Sequence, residues 1–261
     1  MRDICETLGV NRSSFYYHPK EDPSEAVLRA EIEKLAGAYP RYGYRRITQL
    51  LQRQGYTVGT RRVARLMKEN HLLVSVKRAA ETTKSLQGEK PWSNLLETLE
   101  ISHQDQVWVA DITYVRLKGR FVYVALLMDV FTRMIKAWQI RQHLGQSLTL
   151  KPLQQAFCHS VPEIHHSDQG VQYLSKAYIT TLQEHGVEIS IAHRGRPWEN
   201  GYAERLIRTL KEEEVHLNDY QSITEARDRI GQFIEQVYHQ KRPHSALGYL
   251  TPMEFQQQNL S

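Results

Sequence analysis

The sequence predicts an α/β fold, in which a mixed five-stranded sheet flanked by helices follows an all-α domain of the helix-turn-helix type. Residues 24–73 carry apolar side chains at helical spacing, and from residue 107 onward short apolar runs bounded by turns indicate strands. Three hairpin-linked strands are followed by the order helix, strand, helix, strand. This order is typical of one sheet covered by helices.

The first domain is expected at residues 24–76 and contains three helices. The first helix, in the stretch SEAVLRAEIEKLAGAYP, is predicted to turn Val27, Ile32 and Leu35 inward. The second, YRRITQLLQRQG, repeats apolar residues at helical spacing and ends at Gly55.

The third helix, TRRVARLMKENH, is predicted to have Thr60 as its N-cap and to bury Val63, Leu66 and Met67. Twelve lysines and arginines against four glutamates between residues 24 and 80 give an excess of eight positive charges, in a chain of net charge +5. A basic outer face on the third helix fits a helix-turn-helix DNA reader, and a plain three-helix bundle with a solvated basic surface is the alternative. The candidate DNA-contacting residues are Arg61, Arg62, Arg65 and Lys68.

The other domain boundaries follow changes of pattern along the chain. Residues 1–20 look like part of a helix-turn-helix unit, with a short helical hairpin as the alternative. Residues 77–105 are mostly polar and are interpreted as a linker with one apolar anchor at Leu95–Leu96. Strands and helices at 106–218 form the predicted core domain, and residues 219–261 form a C-terminal helical extension.

Three acidic residues stand out by their position in the core domain. Asp111 lies within the first strand, VWVADITYV, Asp168 ends the fourth, and Glu204 lies early in the helix after the fifth. If the first and fourth strands are parallel neighbours, their carboxyl ends meet at one edge of the sheet, and the helix leans Glu204 over it. Converging carboxylates bind hard cations such as Mg²⁺, and two ions about 3.5–4 Å apart promote phosphodiester cleavage.

Each carboxylate also has an ordinary structural explanation. Asp168 can shape a turn, Glu204 can pair with Arg208 four residues on, and Asp111 can be hydrogen-bonded within the fold. The three together, in this order, favour a shared site. Pairing of residue 117 with residue 120 turns Asp129 to the face opposite Asp111, and a one-residue change of register reverses that.

The histidine, cysteine and hydropathy patterns argue against several classes of protein. His165, His166 and His193 are candidates for zinc binding or a general base, but they lack metalloprotease spacing, and structural or substrate-facing positions are favoured. Cys5 and Cys158 form neither a disulfide framework nor a Cys-x-x-Cys motif, which fits a reducing cytoplasm. No apolar run reaches the roughly 18 residues of a membrane span, and the start lacks a secretory apolar region.

Four separated motifs carry a family likeness: WVADITYV, HHSDQGVQY, RGRPWENGYAERLIRTLKEE and YHQKRPHSALGYLTPMEF. Together they resemble the OrfB transposases of the IS-three insertion-sequence family, which have a DDE integrase core. The 35 residues between Asp168 and Glu204 match the family's D-D-35-E spacing, and Lys211 matches the basic residue that follows on the same helix. The likeness extends over nearly the whole chain.

The resemblance implies an RNase H-like fold in which Asp111, Asp168 and Glu204 are the catalytic residues and hold two Mg²⁺ or Mn²⁺ ions. It implies nicking at the ends of a mobile element, followed by attack of the new 3′-hydroxyl on another phosphodiester. It also places Asp129 outside the catalytic set.

Further residues on the helix of Glu204 support this interpretation. Asn200 matches an asparagine of the family and is expected to support the site from behind, although Glu199-Asn200-Gly201 stands where the family commonly has Asp-Asn-Ala. Arg208 and Lys211 lie along the same face as Glu204, and both are expected to face the DNA phosphates.

The expected partners follow from the same resemblance. They are double-stranded DNA of element ends and target, a second copy of the chain in at least a dimer, and an OrfA protein, as a partner or a fusion. In this family OrfA supplies an end-binding helix-turn-helix and a coiled coil, and the sequence has no heptad segment. The expected location is the bacterial cytoplasm at the nucleoid, with no membrane. A non-catalytic DNA-binding regulator of transposition is the alternative, and a tyrosine recombinase is disfavoured because its Arg, His-x-x-Arg and Tyr set is not apparent.

Overall fold

A helical unit and a sheet unit make up the fold, and the chain divides between Ser75 and Val76. The structure is a computed structural model that describes residues 23–74, 92–193 and 195–259. The helix-turn-helix-like segment predicted at residues 1–20 and the larger part of the predicted linker lie outside the described residues.

Three helices make up the described part of the first unit, residues 23–74, as the apolar spacing predicts. They are α1 (Pro23–Ala38), α2 (Tyr44–Arg53) and α3 (Thr60–Glu69). The chain leaves α2 through Gly55, whose φ of 91° is in the left-handed region that favours glycine. The three helices enclose one apolar core, made of Leu28, Ile32, Leu35, Tyr42, Ile47, Leu51, Val58, Val63, Leu66 and Met67.

Two details of the predicted helices are wrong. Val27 is 59% exposed, and Leu28 takes its place in the core because Leu28 shares a helical face with Ile32, whereas Val27 lies roughly 100° round the helix. The N-cap of α3 is Gly59 rather than Thr60, because the Gly59 carbonyl already accepts helical bonds from the third and fourth residues beyond it.

The second unit contains the predicted mixed five-stranded sheet. Its strands run in the spatial order β3-β2-β1-β4-β5, with β1 antiparallel to β2 and parallel to β4. The hairpin pairs Leu117 with Arg120 and sets Asp111 opposite Leu126, which decides between the two registers that the sequence left open. The strands are β1 (Val107–Leu117), β2 (Arg120–Asp129), β3 (Ile135–Arg141), β4 (Ile164–Ser167) and β5 (Glu188–Ile191).

Helices cover both faces of the sheet. Helices α4 (Ser147–Phe157) and α5 (Lys176–Glu184) pack on the face that carries Trp108. Helices α6 (Gly201–Glu213) and α7 (Ile223–Gln232) pack on the opposite face, around Val109 and Leu126. The remaining elements are a π-helical continuation of α7 (Phe233–Tyr238), helix α8 (Pro252–Asn259), and short 3₁₀ helices at Pro197–Asn200, Val215–Leu217 and Ser245–Leu247.

The described part of the predicted linker packs against this sheet. Leu95 and Leu96 contact the core cluster, which confirms them as an apolar anchor. The Leu95 N–H donates to Ser190 Oγ at 2.9 Å, and the Ile191 N–H donates to the Ser93 carbonyl at 3.1 Å. Residues 92–105 are therefore part of the packed sheet unit. Among the described residues, none of the helices combines the length and apolar character that a membrane crossing requires.

A buried ion pair attaches the C-terminal extension to helix α6. Arg242 donates from Nε and Nη2 to the two carboxylate oxygens of Glu213, each at 2.9 Å, and both side chains are less than a tenth exposed. Arg242 also donates to Thr209 Oγ1 and shares a hydrogen bond with His244. This paired, hydrogen-bonded arrangement is what a charge needs in order to remain buried.

We expect Arg242→Met to destabilise the sheet unit by about 3–5 kcal/mol, because it leaves the Glu213 carboxylate buried without its cation. All four tryptophans of the chain lie beyond residue 75, so urea unfolding followed by tryptophan fluorescence reports on this unit alone.

The matched control is Arg229→Met. Arg229 pairs with Glu214 at 3.4 Å but is 47% exposed, so its loss should cost less than about 1 kcal/mol. Equal losses in the two variants would show that burial of the Arg242 pair does not set its contribution.

Candidate active site

Asp111 and Asp168 lie next to each other where the parallel pairing of β1 and β4 stops. Strands β1 and β4 are in parallel register up to the pair Ala110–Ser167, and each carboxylate is the next residue along its strand. The sequence-based expectation that the first and fourth strands are parallel neighbours is confirmed. Neighbouring strands lie about 4.8 Å apart, so the two side chains begin from adjacent positions at the sheet edge.

Asp111 has an unfavourable environment for a negative charge. It is half-buried, and its Oδ1 accepts one hydrogen bond, from the Ile112 N–H at 2.7 Å. Burial raises the pKa of Asp111 to about 8, and the negative charges of Asp168 and Glu204 add to this, while Lys211 opposes it. The three predicted carboxylates therefore act on one another electrostatically.

Asp168 is exposed and is held by the turn that follows β4. Its Oδ1 accepts a hydrogen bond from the Gly170 N–H at 2.9 Å. A Cβ atom on Gly170 would lie 2.9 Å from this same oxygen, so a larger residue at this position would force the carboxylate to shift. Asp168 thus does shape a turn, as its structural explanation proposed, and the turn fixes the carboxylate at the strand end.

Glu204 reaches the site from helix α6. Burial raises the pKa of Glu204, and the charge of Arg208 opposes the rise. The helix start is tied to β1 by Asn200, which is 4% exposed and donates from Nδ2 to the Ala110 carbonyl at 3.4 Å. Because Ala110 precedes Asp111, this bond connects the helix of Glu204 directly to the strand of Asp111.

Lys211 lies on the same helix and faces strand β1. Its Nζ is 4.4 Å from the centroid of the Tyr114 ring, a cation–π distance. Burial lowers the pKa of Lys211, and the charge of Asp111 counteracts this. Arg208 is exposed on the same helix, one turn closer to Glu204.

The donor set fits a hard divalent cation. Carboxylate oxygens are the ligands that Mg²⁺ and Mn²⁺ prefer, and a cation would offset the repulsion that raises the pKa of Asp111. Within the described ranges, no three His, Cys, Asp or Glu side chains already stand close enough to hold a metal ion. The charges of Asp168 and Glu204 thus act on Asp111, but the three carboxylates are not gathered into a ready-made metal site.

Asp129 and the adjacent histidines have structural partners. Asp129 lies opposite Trp108, is fully buried, and accepts hydrogen bonds from the Thr132 N–H and hydroxyl and from the Asp105 N–H. His165 Nε2 and the Tyr178 hydroxyl are 2.9 Å apart. Asp129 therefore closes the turn after β2. His165 has a structural position, as predicted.

The other two histidines are also held by polar neighbours. His166 Nδ1 is 2.8 Å from Ser190 Oγ. Burial lowers the pKa of His165 to about 3 and that of His166 to about 4, so both rings are neutral at pH 7. His193 is exposed, and its Nδ1 is 2.9 Å from Glu199 Oε2.

Two aromatic residues near the site were missed by the sequence analysis. Trp198 is 69% exposed in the 3₁₀ helix that precedes α6, and Tyr173 is buried beside the turn after Asp168. For Trp198 the available signal was a tryptophan in a loop, six residues before the candidate acid Glu204. For Tyr173 there was no signal, because a tyrosine in the motif HHSDQGVQY is expected to be a core residue.

The predicted DNA-contacting residues of α3 fall into two groups. Arg65 donates to Glu25 Oε2 at 2.8 Å and to Glu69 Oε1 at 3.0 Å, and Arg62 lies 3.6 Å from Glu25. The hydrogen bonds that Glu25 accepts from Arg65 and Arg29 hold its pKa below its ordinary range.

Arg61 and Lys68 form the second group. Both are exposed, and neither has a carboxylate partner among the residues that the structure describes. The charge available to a phosphate backbone on α3 is therefore concentrated on these two side chains.

Family models match both units of the chain. An integrase core domain model matches residues 102–197, a second integrase core domain model matches residues 185–252, and an HTH-like domain model matches residues 23–80. A solved structure that aligns with 58% of this chain and 95% of its own is the HTLV-2 integrase catalytic core domain in complex with magnesium, at 14% identity and a TM-score of 0.47.

Curated relatives are similar over almost their whole length. An uncharacterized 31 kDa protein of insertion element IS600 from Shigella sonnei is 34% identical, over 97% of this chain and 97% of its own. The transposase for insertion sequence element IS904 from Lactococcus lactis is 32% identical, over 91% and 98%. The putative transposase InsK for insertion sequence element IS150 from Escherichia coli is 31% identical, over 98% and 93%. The chain belongs to the IS-three family of insertion-sequence transposases and carries an integrase core domain and an HTH-like domain.

Proposed function

We propose that the chain is the catalytic subunit of a DDE-type transposase, which cleaves DNA strands at the ends of a mobile element and joins the new 3′-hydroxyl to target DNA. The observation that carries this proposal is the adjacent placement of Asp111 and Asp168 where the parallel pairing of β1 and β4 stops, with the charge of Glu204 acting on Asp111 from α6. Membership of the transposase family supports the same activity.

Asp111, Asp168 and Glu204 are the proposed catalytic residues and the ligands of two Mg²⁺ or Mn²⁺ ions. When bound, such a pair of ions activates the attacking oxygen and stabilises the leaving oxygen of a phosphodiester. The chain contributes the geometry: the Ile112 N–H fixes one carboxylate and the Gly170 N–H fixes another. Reactive groups that are held in place in advance lower the barrier to the reaction.

Three neighbours of the carboxylates are assigned supporting roles. Asn200 holds the helix start against β1, so it sets the position of Glu204 relative to Asp111. Lys211 and Arg208 are proposed to contact phosphate oxygens of the cleaved strand, because both project from the helix of Glu204 on the side of the site.

The domain roles follow from this assignment. Residues 24–76 are proposed to bind DNA, 106–218 to carry out catalysis, and 219–261 to brace the catalytic helix through Arg242. Pairing of two element ends calls for at least a dimer, and OrfA is proposed to add end recognition. The chain is proposed to work at the nucleoid in the bacterial cytoplasm, where its DNA substrate lies.

The decisive experiment incubates the full chain, with and without its OrfA protein, with DNA that carries the element's own ends and Mg²⁺ or Mn²⁺. Nicking at the ends and strand joining are expected. Binding of end DNA without cleavage under any metal or partner would instead identify a non-catalytic regulator of transposition.

We expect Asp111→Asn to lower metal-dependent strand cleavage at least about a hundredfold, because it removes a ligand whose ions supply several kcal/mol of transition-state stabilisation. Asp129→Asn is the control, since Asp129 lies on the opposite face of the sheet and closes a turn. Cleavage by Asp111→Asn at the wild-type rate would show that Asp111 is not a catalytic residue.

Without added cation, Asp111 should make the fold less stable as the pH rises. Its pKa is about 8 in the folded chain against an ordinary value of 3.8, so between these values the folded state binds more protons than the unfolded state. The Asp111 contribution to the free energy of unfolding therefore falls from about pH 4 to about pH 8 and then levels off. Thermal unfolding across this range should show a flatter pH dependence for Asp111→Asn, and an identical dependence would contradict the assignment.

For DNA binding, we expect Arg61→Ala and Lys68→Ala each to weaken binding to end DNA and to reduce the slope of log affinity against log salt by about one. Arg65→Ala is the matched control on the same helix, since Arg65 is already paired with Glu25 and Glu69. Anisotropy titrations at several salt concentrations measure the slopes. A larger change for Arg65→Ala than for Arg61→Ala would reverse the assignment.

A further inference from the structure

An open patch of the sheet carries aromatic rings where a solvated strand face ordinarily carries polar side chains. Of the large apolar side chains that are exposed among the described residues, two lie in strands. Tyr114 of β1 is 58% exposed, and Phe121 of β2 is 52% exposed. Their ring centroids are 5.5 Å apart, at an interplanar angle of 89°. The two rings therefore form one exposed aromatic pair on neighbouring strands.

The strand pattern shows which face of the sheet carries this aromatic pair. Side chains alternate along a strand, so Tyr114 shares a face with Trp108, which α4 and α5 cover. The cover ends before Tyr114, because Tyr114 and Arg116 are both exposed. On the opposite face, Val115 and Val122 are completely buried beneath α6 and α7. The aromatic pair lies on the half of the face that the described helices leave open.

Basic side chains surround the aromatic pair. Residues 112–124, ITYVRLKGRFVYV, contain three cations and no carboxylate. Arg116 lies directly opposite Phe121, and Arg141 of β3 lies opposite Tyr123 in the neighbouring row. Within the part of the chain that the structure describes, neither arginine takes part in an ion pair. Their positive charge is therefore available to an anionic ligand.

The aromatic pair adjoins the helix of the candidate active site. Lys211 of α6 places its Nζ 4.4 Å from the centroid of the Tyr114 ring. Along β1, Tyr114 is three residues beyond Asp111, a rise of about 10 Å. The pairing of β1 with β4 stops at Ala110, so in the described sheet β4 does not cover this stretch of β1. A DNA strand that leaves the carboxylates along this open edge would reach the aromatic pair next.

Building on the proposed function, we infer that the aromatic pair is a binding site for unpaired bases of a DNA strand beside the active site. The bases pack on the exposed surfaces of Tyr114 and Phe121. Arg116, Arg141 and Lys211 contact the phosphates. An aromatic surface accepts any base, but a base within a duplex is already stacked between its neighbours, so the site takes single-stranded DNA. Positive charge without paired carboxylates attracts the phosphates of the same strand.

The test measures the affinity of the full chain for fluorescent oligo(dT) and for duplex end DNA, by anisotropy with EDTA present. Tyr114→Thr and Phe121→Thr each remove one ring and keep a residue that forms strands readily. Tyr114→Phe and Phe121→Tyr are the matched controls, because they keep the rings. Urea unfolding followed by tryptophan fluorescence checks the stability of the sheet unit in each variant.

Each threonine variant is expected to weaken oligo(dT) binding about fivefold to a hundredfold, the effect of losing one contact between a base and an aromatic ring. Duplex affinity and the urea midpoint should stay close to the wild-type values, because both rings are more than half exposed. The variants that keep the rings should bind oligo(dT) as the wild type does. Arg116→Gln should weaken oligo(dT) binding and reduce the slope of log affinity against log salt by about 0.7, the value for one phosphate of a single strand.

The inference is overturned if both threonine variants bind oligo(dT) as tightly as the wild type, or if they lose single-strand and duplex affinity equally. Unchanged affinity with a lower urea midpoint would show that the rings serve only cross-strand packing. Cleavage of duplex end DNA tests the proposed function separately. A chain that cleaves ends but does not bind oligo(dT) refutes the inference and keeps the catalytic assignment, and the opposite result refutes the catalytic assignment alone.

Discussion

Repulsion between carboxylates held at the end of one parallel strand pair is the constraint around which the sheet unit is organised. Strands β1 and β4 pair in parallel up to Ala110 and Ser167, so backbone pairing brings the next residue of each, Asp111 and Asp168, to adjacent positions. Burial of Asp111, with the charges of Asp168 and Glu204, raises its pKa to about 8, and the folded chain keeps this group at a cost in stability.

The surrounding packing resists this repulsion. Helix α6 is attached at its start through Asn200 to β1 and near its end through Glu213 to Arg242 of the C-terminal extension. Between these two attachments, Leu206 and Leu210 bury one face of the helix against the sheet. A helix fixed at both ends limits how far Glu204 can move relative to Asp111.

In the helical unit, basic side chains that pair with carboxylates within the fold are less available to bind a ligand. Its recognition-type helix α3 carries four basic side chains, and the fold uses Arg62 and Arg65 to pair with Glu25 of α1. Ion pairs at a partly exposed surface contribute little stability each, but they orient the helices. Arg61 and Lys68 are the basic side chains of α3 that have no carboxylate partner among the described residues.

The sequence by itself determined most of the architecture and the candidate acids. Helical spacing predicted three helices, apolar runs between turns predicted the five strands, and the position of Asp111 in an apolar strand marked it as unusual. These are local features, and local features follow from side-chain periodicity and backbone preference. The error at Val27 has the same origin, since one apolar residue beside the stripe cannot be told from a core residue without a partner surface.

The tertiary structure alone decided which groups find partners. The pairing of Arg65 with Glu25 spans 40 residues, that of Arg242 with Glu213 spans 29, and nothing in the local sequence specifies either contact. Among the described residues the hydroxyl of Tyr173 has no hydrogen-bond partner and that of Tyr178 has one, although the two tyrosines look alike in sequence. Hydrogen bonding and burial depend on groups that are distant along the chain, so whether a polar side chain is structural or available to a ligand is a property of the folded molecule.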